Sequence, residues 1–225
     1  NQKPANRLET TPATVEDSSN DIIRDASLYT ACAYIYQMTL FAVGMINKRF
    51  LGPENAGIWA LFLMVLSYFA LHHLGIIDGT GRQIAFYRGM GKEDYARRIK
   101  NNMFGIVGLS SVVLGLLTLA FSGIAGVYIN ENLRWALFHI GLVLPVFMMF
   151  NIATVSLRAT KRFHLLGLTL VGVALTNATL GIFLVWKWNL DGMFTAYIAI
   201  NGLNVLFWYV YTRKDSFLSF KFILD

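Results

Sequence analysis

The sequence predicts an all-α integral membrane protein, a six-transmembrane-helix bundle. Three observations carry this: how little charge the chain holds, how that charge is spaced, and where its tryptophans fall. Of 225 residues, 56% are hydrophobic and 14% are Asp, Glu, Lys or Arg, against roughly 25% charged in an average soluble domain. Charge-free stretches longer than twenty residues run over 26–47, 55–77, 101–130, 135–157, 163–186 and 192–212. A helix needs about 20 apolar residues to cross a bilayer core. The polar stripe at helical spacing that marks a soluble bundle is mostly missing from these stretches. All five tryptophans (Trp59, Trp135, Trp186, Trp188 and Trp208) stand near stretch ends, where an indole can bury its ring and keep its N–H wet.

Taken in order, residues 1–24 form a polar tail without an apolar core. The tail does not read as a signal peptide; it reads as mostly disordered and cytoplasmic, with the first helix starting near Ser19 or Asn20. The lobe itself occupies 25–212, with spans at about 26–47, 55–77, 103–127, 135–157, 164–186 and 192–212. Residues 213–225 read as a cytoplasmic end and the start of a continuation. Cys32 is the single cysteine, so no internal disulfide can form.

Orientation follows from Lys and Arg, which stay on the cytoplasmic side. With the N-terminus inside, inner segments collect 15 of them and outer loops only Lys48, Arg49, Arg134 and Lys187. Both termini are then cytoplasmic. Six of the 15 lie between Asp78 and Lys100: Arg82, Arg88, Lys92, Arg97, Arg98 and Lys100. This island reads as the inner loop between spans two and three. Glu93 with Arg97 and Asp94 with Arg98 are i,i+4 pairs, so a helix is expected to begin there and enter span three. The glycines of "DGTGRQ" and "GMGK" do not make a phosphate loop, because Lys92 is followed by Glu93 and no strand precedes it. A nucleic-acid role is likewise not called for, since inner loops of this charge are the membrane default.

Uncharged polar groups within the spans are the remaining signal. Ser27, Thr30, Tyr34 and Gln37 share one face of span one; Asn151, Thr154 and Arg158 form a stripe in span four. Thr169, Thr176 and Asn177 lie in span five, Asn201 and Asn204 in span six. Such groups either bond helix to helix or line a hydrated cavity. Amides on several helices favour a cavity for polar cargo. Gly105, Gly108 and Gly115 are expected to permit close helix packing, and Pro145 to kink span four. Ser110 or Ser111 with His139 raises an intramembrane hydrolase, but "GLSSVV" has no convincing nucleophile turn. His72 and His73 diverge on a helix and make a poor metal pair.

Three stretches carry a resemblance to a known family: "RFLGPENAGIWALFLMVLSYFALHHLGI", "GTGRQIAFYRGMGKEDYARRIKN" and "SLRATKRFHLLGLTLVG". In order and spacing they resemble the polysaccharide and lipid-linked oligosaccharide (O-antigen-type) flippases of the multidrug/oligosaccharidyl-lipid/polysaccharide exporter superfamily. The resemblance covers about residues 22–213. It departs locally at His73, where many relatives are expected to carry an acidic residue. It implies the N-terminal half of a two-lobe transporter of 12 to 14 helices in a bacterial inner membrane. The second lobe would be the chain's own C-terminal half or another polypeptide.

The cargo implied is an isoprenoid pyrophosphate-linked glycan moved by alternating access, without enzymatic chemistry. On that reading Arg82 and Arg158 attract the pyrophosphate, and Gln37, Asn151, Asn177 and Asn201 bond sugar hydroxyls. No cofactor or metal is called for; coupling to a cation gradient stays open. The alternatives are a cation-coupled multidrug exporter of the same fold and a non-transporting membrane scaffold in glycan assembly. The exporter normally needs an intramembrane carboxylate, and Asp25 and Asp78 stand only at span edges.

Overall fold

The structure, a computed structural model, describes residues 12–125, 128–213 and 217, with side chains from residue 23 onward. Among these the regular elements are all helical: α1 Pro12–Ala70, α2 Ile76–Gly89, α3 Glu93–Ala125, α4 Glu131–Ala159, α5 Phe163–Thr176 and α6 Ile182–Thr212. A 3₁₀ turn, Leu71–His73, follows α1, and a π turn, Asn177–Gly181, joins α5 to α6 without a break. Four helical runs are long and apolar enough to cross a membrane: Ile23–His73, Glu93–Ala125, Glu131–Ala159 and Phe163–Thr212. Met38, Phe41, Leu116, Leu117, Phe121 and Leu206 point outward from the bundle. A ring of exposed apolar side chains this extensive suits lipid and not water. The chain is a membrane protein.

Two of the four runs are not straight. In α1, Gly52 leaves the helical region at φ 72°, ψ 173°, just ahead of Pro53. Beyond it the chain doubles back. Tyr36 packs on a cluster containing Ala196 and Ile200, while the Phe62 ring lies 5.8 Å from that of Tyr197. Twenty-six residues of unbroken helix would hold positions 36 and 62 roughly 39 Å apart. Glycine reaches this backbone conformation without steric cost, and proline cannot donate back into the preceding turn.

The second break is Asn189, at φ 52°, ψ −122°. A Cβ added at Gly192 would overlap the Leu184 carbonyl oxygen, although eight helical residues span about 12 Å. The two breaks meet: the Asn55 side-chain amide donates to Asn189 Oδ1 at 3.4 Å.

Several sequence expectations need correction here. The helical run that holds span two ends at His73 and not at 77, because Leu74 and Gly75 both take positive φ and stop it. The basic island does connect the runs ending at His73 and starting at Glu93, but it is mostly helical rather than irregular. Its first half is α2, and only the stretch 90–92 separates α2 from α3; Gly91, at φ 75°, makes that turn. Glu93 pairs with Arg88 across the turn at 3.7 Å instead of with Arg97 along the helix. The helix expected from Ser19 or Asn20 begins at Pro12, a residue that fits a first turn because its missing N–H costs nothing there. Expectations for residues 1–11, 126–127, 214–216 and 218–225 lie outside the described residues.

The main core gathers Phe62, Leu66, Met103, Val107, Ile140, Val143, Leu144, Met148, Ile152 and Phe194. α3 and α4 supply most of it. Trp59, expected in an interfacial belt, instead stacks on Phe62 at 4.9 Å between ring centroids, and Trp208 is buried in a second cluster. Trp135, Trp186 and Trp188 remain exposed. α4 continues through Pro145 as one helix.

Candidate functional site

The site is built by α2 and α4. On α2, Asp78, Gly81, Arg82 and Ala85 fall at helical spacing on one face; on α4, Val155, Arg158 and Ala159 do the same. Between them lies an open cleft of about 420 Å³. The helices can come this close because of Gly81: a Cβ there would sit 2.6 Å from Val155 Cγ1. Arg82 and Arg158, 76 positions apart in sequence, therefore face one cleft. Both are exposed. Among the described residues neither guanidinium is ion-paired, and the cleft's one carboxylate, Asp78, is not paired either.

Chemically the cleft suits a small anion. Two guanidinium groups offer planar, forked donors suited to phosphate oxygens, and they keep their charge at any physiological pH. Asp78 stands in the first turn of α2, where a negative charge also favours the helix macrodipole. The cleft carries two positive charges against one negative.

The four amides named from sequence are not in the cleft. They share a level of the bundle instead. Tyr36, Phe150, Val173, Ala196 and Ile200 pack in one cluster; Gln37, Asn151 and Asn201 each follow a member of it directly, and Asn177 follows Val173 by one turn. Their side chains behave differently. The amides of Asn151, Asn177 and Asn201 donate to the carbonyls of Phe147, Val173 and Tyr197, each four residues earlier on its own helix, at 2.8–2.9 Å. All three are half-buried, while Gln37 is exposed.

Thr154, Thr169 and Thr176 also bond back to their own helices. These stripes are thus not the bonds that hold helix to helix. A hydroxyl or amide in hydrocarbon finds its nearest acceptor one turn back. Ser27, Thr30 and Tyr34 line a shallow groove on the outer face of α1. That polar strip looks away from this bundle.

Three features escaped the sequence reading. The π turn begins at Asn177, and such turns are frequent at functional sites; no local residue pattern announces one. His72, not His139, is the histidine beside Ser110, with Nε2 3.2 Å from Oγ. His139 instead stacks on Phe194 at 4.7 Å. Lys100 is fully buried, which its spacing with Ala96, Met103 and Val107 on the buried face of α3 could have signalled. Among the described residues no group of His, Cys, Asp and Glu is arranged to hold a metal.

Comparison with protein-family profiles, with curated proteins and with solved structures gives no match.

Proposed function

We propose that this chain is one lobe of a flippase that moves an isoprenoid pyrophosphate-linked glycan across a membrane by alternating access. The observation that carries the reading is the α2–α4 cleft, where two unpaired guanidinium groups from separate helices converge. A pyrophosphate diester carries two charges close together and suits such a pair. The breaks at Gly52 and Asn189, which fold two of the long runs back on themselves, support a reading of six crossings. With both termini cytoplasmic, the cleft opens on the inner side, where the cargo is made.

Half-buried amides at one bundle level and an outward polar strip on α1 suit a glycan path bounded by a second lobe. Each asparagine has one amide proton bonded to its own helix and keeps a second proton and a carbonyl oxygen for sugar hydroxyls. A bacterial inner membrane is the setting this cargo implies.

Arg82→Gln and Arg158→Gln provide the test. Each should lower glycan export in cells that depend on this chain while membrane insertion stays normal. Wild-type export by both variants at equal protein level removes the cleft from the transport path. A cation-coupled multidrug exporter is the weaker reading, because the carboxylate at the cleft stands in a first turn and not mid-span.

A further inference from the structure

An ammonium buried as completely as that of Lys100 survives only where acceptors meet it. Its Nζ donates to the backbone carbonyl of Phe217, beyond the end of α6. The same ammonium lies 5.6 Å from the centroid of the Phe217 ring, and the Arg88 guanidinium lies 4.7 Å from it. Two cations therefore share one aromatic ring, each favoured by its negative face. Phe217 is itself buried, at 7% exposure. It packs in a cluster with Ile84 of α2, Ala96 of α3, Leu157 of α4, Leu166 of α5 and Trp208 of α6.

We infer that Phe217 ties the chain after α6 to α2 and α3, with Lys100 and Arg88 as its receptor, and that this tie holds the spacing of Arg82 and Arg158. The second half of the inference rests on the anion reading of the cleft; the first does not. α2 is only 14 residues long and carries Arg82 toward the cleft and Arg88 toward Phe217. Ile84 lies between them in the Phe217 cluster, and Ala159 borders both cleft and cluster. A helix this short has little stability of its own, so its position against α4 depends on what packs around it. Replacing the Phe217 side chain takes the shared ring from Arg88 and Lys100 at once, and the main-chain carbonyl that Lys100 uses loses the packing that holds it in place.

The test is hydrogen–deuterium exchange on the full chain in lipid nanodiscs, paired with binding of a UDP-sugar as a soluble pyrophosphate diester. Phe217→Ala, which removes the ring beneath both cations, and Lys100→Met, which removes the charge-assisted bond, should each raise exchange in α2 by about tenfold or more. Exchange in the middle of α4 should not change, and Lys92→Met, which alters an exposed lysine of the same island, should leave α2 protected. UDP-sugar affinity should fall alongside. If Phe217→Ala does not accumulate, Phe217→Leu keeps apolar bulk without the ring face and serves in its place.

Unchanged α2 exchange in these variants overturns the tie. Raised exchange with unchanged affinity overturns its effect on the cleft. A wild-type chain that binds no UDP-sugar removes the anion reading and the effect on the cleft with it, while the exchange result still decides the tie.

Discussion

Gly115 of α3 lies against the carbonyl oxygen of Gly141 in α4, and that carbonyl is the one Pro145 leaves without a helical donor. A Cβ on Gly115 would sit 2.7 Å from the Gly141 oxygen, and one on Gly141 would sit 2.8 Å from the Gly115 oxygen. Proline four residues on cannot supply the usual N–H. The glycine pair lets the two backbones close over that carbonyl.

Gly115→Ala should therefore destabilise the bundle by about 1–3 kcal/mol, the usual cost of forcing atoms into a packed core. Gly123→Ala, on the same helix with nothing within 4 Å of its Cβ, should be neutral or slightly stabilising through helix propensity. Denaturation in mixed micelles measures both. Equal stability of the two variants would mean that α3 and α4 are not in this contact.

The α1 break makes a separate prediction. Gly52, at φ 72°, ψ 173°, occupies a region that side chains avoid. Gly52→Ala should cost about 1–3 kcal/mol in strain although its Cβ meets nothing within 4 Å. Thermal melting followed by far-ultraviolet circular dichroism tests it. A variant as stable as wild type would show that the chain does not turn there.

Arg82 and Arg158 should act as a pair. If one diester spans both guanidinium groups, removing either disables the grip, and the double change Arg82→Gln with Arg158→Gln costs little more than one alone. Export measured across all four combinations gives the answer. Strictly additive losses would place the two arginines on different steps.

Ser110 and His72 provide a check on enzymatic readings. Ser110 donates to the Val107 carbonyl at 3.1 Å, and His72 Nδ1 contacts the Phe69 carbonyl oxygen at 2.8 Å. The pair closes onto its own backbone, as a structural contact does. Ser110→Ala should cost about 0.5–1.5 kcal/mol of stability and leave export intact. A fluorophosphonate probe should not label the chain; labelling abolished by Ser110→Ala would make this serine a nucleophile.

The sequence by itself determined the membrane character and the all-helical class. Charge is expensive in hydrocarbon, so long stretches without it mark apolar runs directly. It also named Arg82 and Arg158, which the fold brings to one cleft, and two of the glycines at close helix approaches, but not Gly81, Gly141 or Gly192. Gly115 met that expectation against α4, and Gly108 approaches Met149 with a Cβ distance of 3.0 Å.

Only the tertiary structure decided what each polar group does. Spacing along one helix cannot tell whether Asn201 bonds a neighbour, a ligand or the carbonyl of Tyr197, because the choice depends on which acceptors the other helices bring near. It could not place Arg158 opposite Arg82, since that meeting rests on the α2–α4 approach at Gly81. Nor could it give Lys100 a partner 117 positions away. Burial of a charge is legible as a stripe on one helix, but the acceptor that makes it tolerable is supplied by the fold.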